Sequence, residues 1–473
     1  MSNPTGLTGE QMSELLARQR AASRREGPPA LARRRADLLR LKQVILARRE
    51  ACAAAVSADF GHRSAHETAI MELLTVVQGI NYLRRHLTHW LRPERRHVPL
   101  HFQPARSYVV YQPLGVVGII SPWNYPLSLA LMPLATALAA GNRVMLKPSE
   151  FTPATSGLLA QMLGGIFAPD QVAVVNGDAA VGAAFTALPF DHIVFTGSTQ
   201  VGRAVMQAAA ANLVPVTLEL GGKSPAIIDR GFAAAAATAV ACGKLANAGQ
   251  TCVAPDYALV HADDVESFLG AYDAAVKQLY PAGPAGDQYS AIINQRHFER
   301  LGALLQDART RGARVVEVGH PLPATAAKAH TLTPAAVLDV DDGMRIMREE
   351  IFGPLLPVKT WRSLDEAVEY VNAHPRPLAL YYFGPPGTGR EQVLTLTTSG
   401  NVTVNNTLMH YAQDDLPFGG VGASGMGAYH GIEGFRALSH AKGVFEQGRW
   451  NLSALMRPPF GRLAELILRV MLR

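Results

Sequence analysis

Short apolar runs and stretches of helical length take turns along this chain from residue 115 onward, and that rhythm limits the folds open to it. "GVVGIIS" is followed by "LSLALMPLATALAAG", "RVMLKPS" by "ATSGLLAQMLGGI", "QVAVVNG" by "AAVGAAFTAL" and "HIVFTGS" by "VGRAVMQAAAAN". Strands alternating with helices at this spacing form βαβ units, which imply a parallel sheet with helices on its faces. A second series starts at "PVTLELGGKSPAIID" and continues through "YALVHA", "RVVEVG", "LLPVKTW" and "GNVTVNN". The expected class is therefore α/β, with two α/β domains in tandem. The ligand site is expected between them, where the carboxyl ends of parallel strands meet a domain interface.

Composition removes several alternatives. A hydrophobic share of 48% against 17% charged residues is that of a chain with large cores, not of a disordered one. The net charge of +6 gathers in the arginine-rich N-terminal run. Leucines and alanines recur there at helical spacing, so it reads as a solvated helix face, and no nucleic-acid partner is expected. No N-terminal apolar signal region and no apolar run of membrane-spanning length is seen, so a soluble cytoplasmic protein is expected. Three cysteines, odd in number and far apart, form neither a disulfide framework nor a metal site. Cys52 and Cys242 sit in alanine-rich helical stretches and are expected to be small buried thiols. Cys252 follows a Gly-Gln-Thr turn and precedes Ala-Pro, which can leave its thiol exposed.

The one G-x-G-x-x-G, Gly420 to Gly425, follows a long loop instead of a strand, so it is set aside as a dinucleotide fingerprint. The pairs His62/His66 and His86/His89 lack a third ligand and read as surface histidines. More telling is "HIVFTGSTQVGR", where a strand runs into a helix start whose free N–H groups suit a phosphate. In "VMLKPSE", Lys147 and Glu150 share the turn after a strand and could hold a ribose. Glu219 in "PVTLELGGKSP" and Glu350 in "MREEIFGP" are acids in apolar surroundings, costly unless paired or functional.

Taken in order, "PWNYP", "KPSE", "FTGSTQVGR", "LELGGKSP", "GQTC", "EEIFGP" and "LPFGGVGASGMG" resemble the signature motifs of the NAD(P)-dependent aldehyde dehydrogenases over nearly the whole chain. Within that family, "GQTCVAPDY" resembles the class 3 branch. "DFGHRSAHET" and "DDLPFGGVGASGMGAYHG" look most like its bacterial coniferyl aldehyde dehydrogenases. The resemblance implies an atypical Rossmann cofactor domain over residues 1–219, with 101–112 part of a small β oligomerisation arm. It implies a catalytic domain over 220–423, a return segment and oligomerisation strand over 424–449, and a tail over 450–473.

It also implies roles: Cys252 as nucleophile, Asn124 as an oxyanion donor and Glu219 as the base that activates water. Lys147 and Glu150 would hold the adenine ribose, and Gly197, Ser198 and Gly202 would approach the pyrophosphate. Trp123, Glu350 and Phe352 would lie at the nicotinamide end. Tyr125, Leu129, Met132 and Phe418 match positions lining the aldehyde tunnel. The expected cofactor is NAD, with NADP possible as a second choice, because Glu150 would repel a 2′-phosphate. The expected substrate is an aromatic enal such as coniferyl aldehyde, with a medium or long aliphatic aldehyde as the alternative, and the expected assembly is a homodimer. A CoA-acylating relative would not need Glu219, and a non-catalytic relative would have lost Cys252. In the tail, Leu463, Leu466, Ile467, Val470 and Met471 fall on one helical face. That face is expected to pack against the protein in preference to a lipid surface, and it is too short to span a membrane.

Overall fold

The computed structural model describes residues 7–323 and 328–472. The first βαβ series forms a six-stranded sheet in the order Gly425–Met426, Val216–Glu219, His192–Thr196, Val116–Ile120, Arg143–Lys147, Val172–Val174. All neighbours are parallel except the short strand Gly425–Met426. The chain starts in the middle at Val116–Ile120, winds outward to Val172–Val174, and resumes on the other side at His192–Thr196. Between those two middle strands the winding direction reverses, which opens a crevice beyond their carboxyl ends.

The second series forms a seven-stranded sheet in the order Arg314–Glu317, Ala335–Leu338, Leu355–Trp361, Tyr257–His261, Pro225–Ile228, Ala379–Phe383, Asn401–Val404. Only Arg314–Glu317 runs antiparallel to its neighbour. Both sheets carry continuous apolar strands, as expected where helices cover both faces. Helix Ser128–Ala140 is buried along its whole length, which explains its apolar circumference. It ends at Gly141, whose φ of 92° places it in the left-handed region that closes the last turn.

The N-terminal arginine run forms helices Gly9–Glu26 and Leu31–Ala47, the first opened by a reciprocal Thr8–Gln11 cap. Leu38, Leu41 and Ile45 are fully buried, and Arg34 donates to the carbonyls of Pro29 and Ala139. A third, antiparallel sheet joins Glu94–Arg96, Ala105–Pro113 and Ser439–Gln447. Ser439–Gln447 is its edge, and its side chains from His440 to Gln447 are mostly exposed.

Two expectations fail. The tail does form a helix, Arg462–Met471, but its apolar face meets solvent: Leu463, Leu466 and Val470 are 50%, 55% and 68% exposed, and Ala464 alone is buried. The predicted packing of that stripe against the protein is absent among the described residues. Among the described residues no helix is long and apolar enough to cross a membrane. Cys242 is exposed, not buried like Cys52. Its neighbours Ala241 and Gly243 turn inward while its own side chain points out of helix Ala233–Leu245.

Candidate active site

Cys252 is presented by a strained turn. After helix Ala233–Leu245, Asn247 and Ala248 adopt left-handed angles (φ 51° and 50°) that side-chain-bearing residues rarely hold. Gly249 follows at φ 79°, packed against the carbonyl of Gly353 where a Cβ has no room. The Gln250 side chain locks the turn. Its Nε2 donates to the carbonyls of Asn247 and Ala291 at 2.9 and 3.0 Å, and its Oε1 accepts from the Ile293 N–H at 2.9 Å. Thr251 Oγ1 meets the Tyr125 hydroxyl at 2.7 Å. Burial pushes the Cys252 thiol up to about 12, with the Glu350 and Glu219 carboxylates adding to the effect.

Three loops converge on this thiol. The loop after Val116–Ile120 carries Trp123 and Asn124, and the Asn124 amide Nδ2 donates to the Gln250 carbonyl at 3.1 Å. Glu219 ends strand Val216–Glu219, held from one side by Gly197 N–H on its carbonyl and from the other by its pairing with Gly425. The rejected glycine motif thus serves as a tight turn that brings Gly425 against this strand. Both Glu219 oxygens are buried without a hydrogen-bond partner, and burial raises its carboxyl well above the usual range.

Glu350 lies against Gly221, which leaves no room for a side chain there. Its carboxyl is raised to about 8 by burial and by Asp256. The loop carrying it is fixed by Lys223, which donates to the carbonyls of Ile346 and Glu349 at 2.8 and 3.0 Å, and by Arg300, which donates to the Glu350 carbonyl at 3.1 Å. Phe352 takes a left-handed φ of 51° and meets Trp123 edge to face at 5.3 Å.

These groups line a cleft of about 230 Å³, which also takes in Leu129, Gly197 and Ser198. Lys147 and Glu150 lie outside it, on the next strand end of the same sheet, where Lys147 Nζ is 2.9 Å from Glu150 Oε2. Ser198 caps helix Thr199–Ala210, leaving first-turn N–H groups facing the crevice. Gly197 and Gly202 have close reasons of their own: side chains there would strike the Phe195 ring and Leu220. Tyr125, Met132 and Phe418 do not line the cleft. Phe418 belongs to an aromatic group with Tyr411, Tyr429, His410 and His430. The hydroxyls of Tyr125, Tyr381, Tyr411 and Tyr429 are each near enough to feel the charge of Cys252.

Sequence reasoning missed His297 and Arg300, both lining the cleft from helix Gln295–Thr310. His297 lies 5.0 Å from Trp123, and its pKa falls to about 4 through burial and the neighbouring Arg300 and Arg296. Nothing local marks "NQRHFERL" as more than a surface helix. Among the described residues no cluster of three potential metal ligands occurs.

A half-buried thiol on a strained turn, an oriented amide and an unpaired carboxylate, gathered at the switch point of a parallel sheet, define a cysteine-dependent enzyme. Residues 5–444 match the aldehyde dehydrogenase family, and the chain belongs to that family. It is 47% identical over 478 residues to the coniferyl aldehyde dehydrogenase of a Pseudomonas species, covering 99% of this chain and 98% of that one. Staphylococcus aureus AldH in its substrate-bound state superposes with a TM-score of 0.92 at 34% identity, covering 98% and 99% of the two chains. The indole-3-acetaldehyde dehydrogenase AldA of P. syringae, solved in complex with NAD+ and IAA, gives 0.83 at 26% identity over 93% and 89%.

Proposed function

We propose that this protein oxidises an aromatic enal of the coniferyl aldehyde type to its carboxylic acid, using NAD in preference to NADP. The observation that carries the mechanism is the pair of unpartnered Glu219 oxygens in the cleft that holds Cys252 and Asn124. A buried carboxylate without partners destabilises the fold, so its retention calls for a chemical task. In this reading Cys252 gives its proton to solvent water and its Sγ bonds to the aldehyde carbon. The alkoxide so formed is met by the Asn124 amide and the Cys252 backbone N–H. NAD, held by the Ser198 helix start and the Glu350 loop, would supply the hydride acceptor, so that the alkoxide would collapse to a thioester on Cys252. Glu219 then takes a proton from water, the hydroxyl bonds to the thioester carbon, and the acid departs as the Cys252 thiolate is released.

The cofactor site fits its residues. The Ser198-capped helix start suits a pyrophosphate, the Lys147–Glu150 pair suits a ribose diol, and Trp123, Glu350 and Phe352 flank the nicotinamide end. Gly202 belongs to the same helix start. A 2′-phosphate would meet the Glu150 carboxylate, which supports NAD as the preferred cofactor. The domain reading places cofactor binding in residues 1–219 and catalysis in 220–423. Residues 101–112 and 424–449 build the arm, and 450–473 form the tail. Three unpaired thiols suit the reducing cytoplasm. The free edge of Ser439–Gln447 supports a homodimer formed by strand pairing.

Substrate class rests on the name of the Pseudomonas relative and on the aromatic surroundings of Cys252, with Leu129 in the cleft and Tyr125, Met132 and Phe418, beyond that cleft, as the proposed aldehyde-side wall. A panel of cinnamyl, benzyl and aliphatic aldehydes, each run with NAD and with NADP, tests it. The highest kcat/KM is expected for coniferyl aldehyde with NAD, and a higher value for decanal or for NADP would overturn the assignment. Cys252→Ser should abolish turnover while NAD still binds, because a serine hydroxyl is far less acidic than a thiol. Retained activity would remove Cys252 from the mechanism.

A further inference from the structure

The segment "HRSAHETAIME" lies outside the cleft, yet it contributes Arg63, Glu67 and Glu72 behind the Asn124 and Cys252 loops. Arg63 is 1% exposed, and its Nη1 donates both to the Asn124 carbonyl and to Glu72 Oε1, each at 3.1 Å. Its guanidinium covers the Tyr125 ring at 4.7 Å and the Phe60 ring at 5.3 Å. Glu72 sits on a π-helical turn, Ala69–Leu74, an irregularity that is frequent at functional sites. Its other oxygen accepts from the N–H groups of Leu127 and Ser128 at 2.7 and 3.1 Å, pinning the start of the helix that follows Asn124. Glu67, one turn earlier, accepts from the backbone N–H of Asn247 in the nucleophile turn and from Ser290 Oγ at 2.6 Å.

The Asn124 carbonyl is therefore gripped twice, by Arg63 and by Asn247 Nδ2 at 2.9 Å. That one oxygen ties the oxyanion loop to the nucleophile turn. Arg63 Nε and Nη2 find no hydrogen-bond partner among the described residues, with Glu67 Oε2 4.0 Å from Nε. A buried ion pair with unsatisfied donors is a poor way to gain stability, so its value lies in where it holds its partners.

We propose that Arg63, anchored by Glu72, is a positioning residue that fixes the Asn124 amide relative to Cys252 Sγ. It rests on the reading of Asn124 as an oxyanion donor. Donors must lie about 2.7–3.1 Å from the developing alkoxide, and a misplacement of about 1 Å costs on the order of 10²-fold in rate. Arg63→Lys keeps a cation for Glu72 but loses the planar fork that reaches Asn124 and stacks on Tyr125.

The test is a double-mutant cycle on the full-length enzyme, reading the NADH burst rate and the dissociation constant of NAD. Arg63→Lys should slow the burst about 10²-fold with NAD binding unchanged within about twofold. In the Asn124→Ala background the same change should cost less than about threefold, because the amide it positions is already gone. Arg63→Lys with a normal burst, or an equal loss in both backgrounds, overturns the proposal while leaving Asn124 in its role. Asn124→Ala with a normal burst overturns both, and marks the oxyanion reading as the one that failed. Thermal melts of each variant separate misfolding from misplacement. If Arg63→Lys does not fold, Glu72→Gln, which removes the anchor and keeps Arg63, is read in the same cycle with the same expected outcomes.

Discussion

Glu72 and Glu219 are both buried glutamates of the N-terminal half, and their surroundings are opposite. Glu72 is 0% exposed and meets Arg63 and two backbone N–H groups; Glu219 is 2% exposed and its carboxylate finds no hydrogen-bond partner among the described residues. For Glu72, burial raises the carboxyl while Arg63 and the two N–H groups push back; for Glu219, burial acts alone. A satisfied buried charge holds other groups in place, whereas an unsatisfied one at a cleft is kept for reactivity. The difference comes from position. Glu72 points at a helix start, which offers free N–H groups, and Glu219 points into a crevice, where no donor is built.

The strongest way to break this comparison is Glu219→Gln. Loss of a general base costs about 10²–10⁴-fold, so steady-state turnover should fall by that much while one NADH per active site is still released in a rapid-mixing burst. Loss of the burst would move Glu219 to the step before hydride departure. Next in size is Glu72→Gln, which removes the carboxylate hydrogen-bonded to buried Arg63 and leaves it only the more distant Glu67, 4.0 Å from its Nε. A loss of about 3–5 kcal/mol is expected, seen as a lower urea midpoint, and an unchanged midpoint would show that the pair carries no structural weight.

A smaller effect follows from proton linkage. The Glu219 carboxyl is raised in the folded state, so its folded form keeps a proton that the unfolded form has lost, and stability falls as pH climbs above the unfolded value of about 4.3. Glu219→Gln removes that penalty. The Tm of the variant should match the parent near pH 4 and exceed it increasingly toward neutral and alkaline pH. A gap that shrinks with rising pH would mean that Glu219 has a partner in solution.

Much of this was legible before any coordinates. Alternating apolar runs specify strand and helix through burial periodicity, and the Cys252, Glu219 and Glu350 contexts each pair a reactive group with glycine or proline, whose backbone limits leave a mark in the sequence. His297 and Arg300 left no such mark, because a helix facing a cleft and a helix facing water have the same apolar stripe on their other side. The tail shows the converse failure. Its stripe from Leu463 to Met471 predicts an amphipathic helix, and periodicity carries no information about whether anything covers it.

The sequence by itself determined the two mainly parallel sheets and the turn that leads into Cys252, since each depends on local propensity and on the period of its apolar residues. Tertiary structure alone decided which buried carboxylate is paired. Arg63 and Glu72 are nine residues apart and meet the Asn124 loop about sixty residues on, and Glu219 is left alone only because no distant donor folds onto it. Such satisfaction is a sum over everything the fold brings near an atom, and no stretch of sequence contains that sum.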